Sequence, residues 1–374
     1  MVPKLDELEE SYRQAMDSRM VTTGPNAELL GTTAAELLGV DHAIAVSSCT
    51  AGLLLATQAL NLPPGSEVIM PSFTFMATAL GAVWNGLRPR FVDVDWRTMN
   101  IDPDRVEEAI SSKTSAIFAV HQFGNPAPVE RLKKIADRHG LKLLYDGAHG
   151  LGSKYRGTPV GRFGEAEVFS MSPTKLVIAA EGGLVTTNDA RIAEHVRLGR
   201  NYGNPGNYDC LFPGLNARMS ELHALMALRS FEKLDHAVDQ RNQAVHIYSE
   251  LLADIPGILI QQIHPADVCS YKDITITIEE HDFGITRDRF VQALKADGIE
   301  TRVYYAPVLH KMTAFQQYHL EDDRFDLRNT LYLEKSAVSL PLYSDMTPDE
   351  VEQVCHVIRS IFYYREDIKN LTAA

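Results

Sequence analysis

The chain has 374 residues, of which 45% are hydrophobic, so it is long enough for more than one domain with a sizeable core. Its formal net charge of -13 argues against nonspecific nucleic-acid binding, although a locally positive pocket could still bind a phosphorylated small molecule. No run of about eighteen apolar residues predicts a transmembrane helix, and the polar N-terminus lacks a signal-peptide core. The four cysteines are far apart and form no metal-type spacing, so we expect a cytoplasmic protein with reduced thiols and no metal site.

Short apolar segments typical of strands alternate with segments of helical period between about residue 40 and residue 200. The predicted strands are 43–46, 67–70, 90–94, 115–120, 142–145, 166–170 and 184–187. The predicted helices between them are 50–60, 74–84, 103–110 and 128–139. This alternation predicts crossover units and a mostly parallel sheet, which is an α/β fold. Ligands on such sheets bind beyond the carboxyl ends of the strands, where 47–50, Asp146 and 170–175 would lie.

The pattern changes after a loop rich in Gly, Asn and Pro at 201–215. The elements predicted beyond it are a strand at 271–278 and helices at 220–231, 236–253, 287–296 and 348–362. We therefore predict an N-terminal segment and large α/β domain over 1–240 and a small α+β domain over 241–374. The first ~20 residues are predicted to form a helix that packs on the body of the protein or on a neighbour.

Lys175 ends a segment of small hydroxyl residues that begins in a predicted strand. Ser170, Ser172 and Thr174 suit a phosphate, and Glu181-Gly182-Gly183 permits a tight backbone turn beside a ligand. Imine formation with a cofactor aldehyde requires a primary amine, and the released amine can move a proton between a substrate carbon and a cofactor carbon. The alternative is that Lys175 is an ordinary solvated lysine near a strand end.

Asp146 follows the strand predicted at 142–145, and the small residues after it leave room for a flat ring. A carboxylate that faces a pyridine nitrogen keeps that nitrogen protonated, and the protonated ring withdraws electrons from a carbanion. Asp146 and Lys175 are therefore the pair that a pyridoxal phosphate enzyme needs, unless Asp146 only caps the following turn. His149 would bind the phenolic oxygen of the cofactor or the aspartate, unless it is a packed histidine.

Two further strand-to-helix junctions supply candidate contacts. The segment 47–52 reads Ser-Ser-Cys-Thr-Ala-Gly, and backbone N–H groups at a helix N-terminus bind phosphate well, although Ser and Thr are also ordinary N-caps. We interpret Cys49 as a small spacer and not as a nucleophile. In the segment 71–75, Phe75 is the better candidate for stacking on the pyridine ring if Phe73 points inward; otherwise both belong to the core.

Taken in order, these motifs resemble those of the DegT-type or StrS-type sugar aminotransferases, a family of fold-type I pyridoxal phosphate enzymes. The resemblance covers about residues 20 to 362, which is nearly the whole chain. Cys49 stands where the family has glycine, and Ser172 stands where it often has histidine. The matching segments are 48–51, 71–75, 146–149 and 170–175, followed by the glycines at 182 and 183.

The resemblance implies a role for each matched residue. It implies that Lys175 forms the imine with pyridoxal phosphate and that Asp146 holds the pyridine nitrogen. The remaining cofactor contacts that it implies are Thr50, Ala51 and Ser170 at the phosphate, Phe75 on the ring face and His149 at the ring edge. Two later segments extend the match: Asn216 and Arg218 would reach the phosphate of the neighbouring subunit, and Tyr305 and His310 would lie near the substrate. A homodimer with shared sites is therefore expected.

The function that the resemblance implies is transfer of an amino group from glutamate or glutamine to a nucleotide-linked keto sugar, with pyridoxamine phosphate as the second form of the cofactor. A 4-keto-6-deoxyhexose, aminated at C4, is the acceptor we expect. One branch of the family replaces the catalytic lysine by histidine and performs dehydration, and Lys175 favours amino transfer over that branch. No nucleic-acid or membrane partner is expected.

Several other functions are compatible with parts of this pattern. A 3-keto sugar aminotransferase or a cyclitol aminotransferase would have the same fold and cofactor. A noncatalytic regulatory homologue would keep the fold without turnover. A nucleotide-binding oxidoreductase would share the strand and helix alternation, but no Gly-x-Gly-x-x-Gly follows the first strand, where 47–52 stands instead.

Overall fold

The computed structural model describes residues 2–318 and 326–370. Its helices are α1 (Leu5–Asp17), α2 (Pro25–Leu38), α3 (Cys49–Ala59), α4 (Met76–Val83), α5 (Pro103–Ala109), α6 (Val129–His139), α7 (Ala190–Gly199), α8 (Glu221–Phe231), α9 (Leu234–Leu252), α10 (Glu280–Phe283), α11 (Arg287–Ala296), α12 (Arg328–Ser336), α13 (Pro348–Tyr363) and α14 (Arg365–Asn370). Its strands are β1 (His42–Val46), β2 (Glu67–Pro71), β3 (Arg88–Val92), β4 (Thr114–Val120), β5 (Lys142–Asp146), β6 (Lys154–Tyr155), β7 (Thr158–Pro159), β8 (Ala166–Ser170), β9 (Gly183–Thr187), β10 (Ile258–Ile260), β11 (Ile274–Ile278) and β12 (Ala337–Leu340). Within the described ranges, none of these helices combines the length and apolar character needed to cross a membrane.

The central sheet has the strand order β1-β9-β8-β5-β4-β2-β3. β9 runs antiparallel to both of its neighbours, and the other adjacent pairs are parallel. The predicted α/β fold with a mostly parallel sheet is therefore confirmed. Because β5 and β8 are adjacent and parallel, their carboxyl ends meet at one edge, and this edge carries Asp146 and Ser170.

Helix α3 packs directly on the central sheet because a glycine faces the strands. A Cβ atom on Gly52 would lie 2.7 Å from Cγ1 of Val168 and 3.0 Å from Cγ2 of Val185, which is too close for a larger residue. The helix begins where Ser48 acts as N-cap, with its side chain accepting a hydrogen bond from Ala51 N. The first turn of α3 is thereby fixed at the carboxyl edge of the sheet.

Two predicted strands begin or end elsewhere, for local reasons. The strand predicted at 90–94 is β3, which starts two residues earlier and ends at Val92, after which Val94 pairs only with Ile101 in an isolated bridge. The strand predicted at 271–278 begins at Ile274, because Tyr271 has a positive φ of 45° and Lys272 N donates to the carbonyl of Phe123. That hydrogen bond ties the segment before β11 to the turn that follows β4.

The C-terminal part contains a three-stranded antiparallel sheet in the order β10-β11-β12, covered by α9, α11 and α13. Helix α9 contributes to two hydrophobic cores. Leu234 and Val238 pack with the large sheet, whereas Ala244 and Tyr248 pack with the small sheet. The chain later returns to the large core through Leu309. The predicted boundary after residue 240 falls inside α9 and stays a prediction.

The N-terminal helix α1 packs on the body of its own chain. Leu8 and Ala15 are buried, and Lys233 Nζ lies 2.8 Å from a carboxylate oxygen of Glu7. The next helix, α2, is held at its start by Glu221, whose carboxylate accepts hydrogen bonds from three backbone N–H groups at residues 24, 26 and 27. The two segments are therefore anchored near opposite ends of α8, since Glu221 begins that helix and Lys233 lies just beyond its end.

Candidate active site

A cavity of about 290 Å³ opens at the carboxyl edge of the central sheet, where β5 and β8 end and α3 begins. The predicted site residues in its wall are Thr50, Phe75, Asp146, His149, Ser170, Lys175 and Tyr305. The predicted site residues outside that wall are Ala51, Asn216, Arg218 and His310. The structure thus brings together seven of the predicted site residues from five separate segments of the chain.

Asp146 is a buried carboxylate, 3% exposed, with a partner on each oxygen. Thr78 Oγ1 donates to Oδ2 at 2.7 Å, and Ala148 N donates to Oδ1 at 3.0 Å. Burial raises the pKa of Asp146, and these two hydrogen bonds together with the charge of Lys175 act in the opposite direction. The carboxylate is fixed in one orientation and is available to hold a protonated ring nitrogen.

His149 is held as a neutral imidazole. Phe123 N donates to its Nδ1 at 3.2 Å, which assigns the ring proton to Nε2, and the two rings stack with centroids 5.9 Å apart. Burial lowers the pKa of His149 well below its ordinary value, and the charges of Lys175 and Lys272 lower it further. His149 can therefore donate one hydrogen bond into the cavity without adding a charge.

Lys175 lies on the loop after β8, and its backbone N–H donates to the carbonyl of Ser172 at 3.0 Å. Burial lowers the pKa of its amine to about 8, and the positive charge of Lys272 contributes in the same direction. About a tenth of the amine is therefore unprotonated at pH 7, and this is the form that attacks an aldehyde carbon. An ordinary surface lysine, with a pKa near 10.4, would be almost fully protonated there.

The first turn of α3 provides hydrogen-bond donors for an anion. The initial N–H groups of a helix have no intrahelical partner, and Ser48 accepts only the one from Ala51. The N–H groups of Cys49 and Thr50 remain at the positive end of the helix dipole. Strand β9 approaches this turn closely, because a Cβ atom on Gly183 would lie 2.6 Å from Cys49 N. The glycine at this position is therefore required by the close approach of two backbones.

The hydroxyl of Ser170 lies near that turn and is held only loosely by protein groups. Ser172 N donates to its Oγ at 3.4 Å, and its own Oγ lies 3.4 Å from Ser172 Oγ. Both contacts are at the long end of the hydrogen-bond range, so the Ser170 hydroxyl can turn toward a phosphate oxygen. Thr174 also lies in the wall and offers another hydroxyl.

The two phenylalanines at the start of α4 have different environments. Phe73 is fully buried and makes edge contacts with the rings of Phe123 and Tyr305. Phe75 is the N-cap of α4, lies in the cavity wall and is 51% exposed. This arrangement meets the condition under which Phe75 was predicted to cover the ring, because Phe73 points into the core.

The structure places the two predicted substrate residues in different environments. Tyr305 lines the cavity and stacks on Phe123 with ring centroids 6.0 Å apart, and burial raises its pKa well above the ordinary value. His310 is buried outside the cavity wall, where its Nδ1 lies 2.7 Å from Ser72 Oγ and its backbone N donates to the same oxygen. In this structure His310 fixes the loop behind Phe73, and its predicted contact with the substrate stays a prediction.

Asn216 and Arg218 lie away from the cavity of their own chain. Asn216 is exposed and pairs with Asn201 in an isolated bridge, and Arg218 Nη1 donates to Asn201 Oδ1 at 2.6 Å. The guanidinium of Arg218 also lies 5.4 Å from the ring centroid of Tyr202. This placement is compatible with a role toward a neighbouring subunit, which stays a prediction.

Among the residues that sequence reasoning missed, one lies outside the cavity wall and binds Asp146, and two lie in the wall. Thr78, which binds Asp146, follows Thr74 by four positions, and the two hydroxyls are 3.1 Å apart. The i,i+4 spacing of threonines on one predicted helix was the available signal. Lys272 and Tyr304 line the cavity from the C-terminal part of the chain, and no local motif marks them.

The residues present fit pyridoxal phosphate. The donor set combines a primary amine of lowered pKa, a buried carboxylate and a helix N-terminus flanked by hydroxyl groups, as that cofactor requires. The volume of about 290 Å³ lies at the lower end of the range of ligand pockets and suits one small aromatic molecule. Lys175 would hold the aldehyde carbon, Asp146 the ring nitrogen and the first turn of α3 the phosphate.

Comparison with known proteins agrees with this chemistry. A sequence model of the DegT/DnrJ/EryC1/StrS aminotransferase family matches residues 4–359. The chain is similar to the spore coat polysaccharide biosynthesis protein SpsC of Bacillus subtilis, with 31% identity over an alignment of 361 residues that covers 93% of this chain and 92% of SpsC. The match therefore extends over both sheets and not over the cofactor motifs alone.

Two solved structures share the whole architecture. DesI, solved in the presence of its TDP-sugar product, has 35% identity and a TM-score of 0.91, covering 99% of this chain and 93% of DesI. The GDP-4-keto-6-deoxy-D-mannose-3-dehydratase of E. coli, solved with bound hydrated PLP, has 25% identity and a TM-score of 0.88, covering 94% of this chain and 96% of the dehydratase. The cofactor is thus found in a protein of the same fold.

Proposed function

The chain belongs to the DegT/DnrJ/EryC1/StrS aminotransferase family, and on that basis we propose that it transfers an amino group from glutamate or glutamine to a nucleotide-linked keto sugar. It is a pyridoxal-phosphate-dependent aminotransferase of fold-type I. The observation that carries the proposal is the meeting of Lys175 and Asp146 in one cavity of such a chain. A primary amine at position 175 favours amino transfer over dehydration.

We assign each residue of the cavity a separate role in the reaction. When bound, pyridoxal phosphate supplies an electrophilic carbon and an electron sink for a carbanion at the donor's α-carbon. Lys175 Nζ, whose pKa is about 8, would take the donor's α-proton and return it at the cofactor carbon. Asp146 keeps the ring nitrogen protonated, and His149 offers Nε2–H to an oxygen at the ring edge. Phe75 would cover one face of the ring.

The acceptor we favour is a 4-keto-6-deoxyhexose aminated at C4. Two similarities support a nucleotide-linked hexose: DesI was solved with a TDP-sugar product, and the E. coli dehydratase acts on a GDP-4-keto-6-deoxy-D-mannose. The enzyme would work as a homodimer in which Asn216 and Arg218 reach the other subunit's site. We expect it in the cytoplasm, where its four free cysteines would stay reduced.

The test is an acceptor panel of nucleotide-linked 3-keto and 4-keto sugars and a keto-cyclitol, each with glutamate and with glutamine. Products are identified by mass and NMR. We expect an amino sugar formed from a 4-keto substrate. If products form only from a 3-keto sugar or from the cyclitol, that compound is the acceptor instead of a 4-keto sugar. If the cofactor-loaded protein forms no product from any acceptor, the proposed function is contradicted.

Lys175→Ala tests the catalytic assignment in the same assay. We expect loss of turnover and loss of the near-visible absorption band that bound cofactor shows when it is linked to the lysine. Lys295→Ala, at the exposed end of α11 and outside the cavity wall, is the matched control and should keep both. Undiminished turnover in Lys175→Ala would refute the assignment.

A further inference from the structure

A second cavity, of about 760 Å³, lies between the Lys175 loop and the small sheet. Its wall includes residues around β12 and the start of α13, together with 297–302 after α11. Four residues line both this larger cavity and the cofactor cavity: Thr174, Lys175, Lys272 and Tyr304. The two cavities therefore adjoin at the reacting amine, and a molecule in the larger one lies beside Lys175.

The cationic side chains in the wall of the larger cavity differ in their ion-pair and hydrogen-bond partners. Lys272 Nζ lies 2.9 Å from both carboxylate oxygens of Asp273, in a pair that is almost fully buried. Arg241 donates to Ser344 Oγ and to the carbonyls of residues 271 and 272. Arg302, by contrast, makes no ion pair or side-chain hydrogen bond within the described part of the chain.

The backbone of Arg302 is fixed although its side chain is exposed. Arg302 N donates to the carbonyl of Ser339 at 3.1 Å, and Ser339 N donates back to the carbonyl of Arg302 at 2.8 Å. This two-way bridge holds residue 302 at the edge of β12. An arginine on a rigid element can present its planar guanidinium to an anion with little further loss of backbone freedom.

The acidic residues of the same wall do not neutralise this arginine. Asp273 is occupied by Lys272, and Glu350 accepts hydrogen bonds from Thr347 and from the hydroxyl of Tyr343. The other acids, at 297, 300 and 345, are exposed, so water and salt screen their charges. Arg302 is therefore free to bind an oxyanion brought in by a substrate.

We propose that Arg302 binds a negatively charged oxygen group of a substrate in this larger cavity. The inference rests on the proposed function, because both proposed substrates carry such a group. The amino donor has carboxylates, and the acceptor has a diphosphate. A guanidinium matches either group with two parallel hydrogen bonds. Because the cavity adjoins Lys175, the arginine would hold the substrate while its reacting end reaches the amine.

Binding measured without turnover gives the first test. The holoenzyme, Arg302→Gln, Arg302→Lys and the charge-matched control Lys295→Gln are titrated by calorimetry with 2-oxoglutarate and, separately, with UDP, TDP and GDP. We expect Arg302→Gln to weaken binding of one probe class about tenfold or more, with partial recovery in Arg302→Lys and none of the loss in Lys295→Gln. The probe class whose binding weakens shows whether Arg302 binds the carboxylate of the amino donor or the diphosphate of the acceptor.

Steady-state kinetics gives the second test. We expect the KM of the matching substrate to rise by a similar factor in Arg302→Gln, with kcat within about twofold, since the arginine binds without taking part in proton transfer. Equal binding of both probe classes by Arg302→Gln and wild type would overturn the inference, as would a wild type that binds neither. A failed acceptor panel would contradict the proposed function instead, and the calorimetric comparison would still decide the role of Arg302.

Discussion

The hydroxyl of Thr78 donates a hydrogen bond of 2.7 Å to Oδ2 of Asp146. Both groups are buried, and Thr74 Oγ1 lies 3.1 Å behind the Thr78 hydroxyl. Burial raises the pKa of Asp146, and the hydrogen bond from Thr78 is the largest effect that lowers it. A residue on α4 thus controls both the direction and the ionisation of the carboxylate on β5.

Thr78→Val should therefore raise the pKa of Asp146 and weaken the site. A hydrogen bond to a charged group contributes about 1.5–3 kcal/mol, so we expect a rise of about one pKa unit and roughly tenfold weaker cofactor binding. The acid limb of the activity profile should move to higher pH, because the carboxylate is then protonated at higher pH. The absorbance of bound cofactor, titrated against pH, checks the shift, and Thr78→Ser should restore it. An unmoved titration in Thr78→Val would contradict this role.

The sequence was sufficient to predict most of what the local pattern controls. The alternation of strands and helices predicts the sheet, and the end of a strand at residue 146 predicts where its carboxylate lies. The parallel pairing of β5 and β8 then brings Asp146 and Ser170 to one edge, as the rule for such sheets requires. These predictions succeed because each depends on one element and on one general property of parallel sheets.

The remaining site residues could not be predicted, because their positions depend on tertiary pairing. Lys272 reaches the cavity only because its backbone bonds to Phe123, far away in the sequence. His310 is buried on Ser72 rather than at the cavity wall, and nothing in the local sequence distinguishes these outcomes. Arg302 takes its position from an isolated bridge to Ser339 of β12, which is distant in the sequence.

Lys272 and Asp273 should shift the pKa of Lys175 in opposite directions. The amine has a pKa of about 8 because burial lowers it, and the charge of Lys272 lowers it further, whereas Cys49, Asp273 and Asp146 raise it. Lys272→Met removes the positive charge, so the pKa should rise by about one unit and the unprotonated fraction at pH 7 should fall roughly tenfold. Asp273→Asn should lower the pKa instead.

The measurement for this pair uses the apoprotein. The rate at which the Lys175 amine reacts with added pyridoxal phosphate, followed by absorbance across pH, reports the pKa of the amine directly. Lys272→Arg keeps the charge and should retain a pKa near the wild-type value. Profiles that coincide for Lys272→Met and Asp273→Asn would show that the buried pair only stabilises the fold.

Gly183→Ala should damage the first turn of α3. The added Cβ would lie 2.6 Å from Cys49 N and 2.9 Å from the carbonyl oxygen of Phe169, and backbone atoms cannot move aside cheaply. We expect a loss of about 1–3 kcal/mol in the free energy of unfolding together with weaker cofactor binding. Gly81→Ala, within α4, is the control, because the added Cβ would lie 3.4 Å from its nearest neighbour, Cβ of Leu53 on α3, and it should be neutral or stabilising. Denaturant unfolding with and without cofactor distinguishes the two variants.

The placement of Arg218 away from its own cavity leads to a complementation test. Lys175→Ala and Arg218→Ala should each have little activity as homodimers, if Arg218 acts in the neighbouring site. In a mixed dimer, the subunit with an intact Lys175 receives Arg218 from its partner, so one site of two is complete. Random pairing of equal amounts gives half mixed dimers, and activity should recover to about one quarter of wild type. Co-expression with two affinity tags isolates the mixed dimer, in which about half of the wild-type activity is expected. An arginine that acts within its own subunit would leave both sites of that dimer defective, and no recovery would be seen.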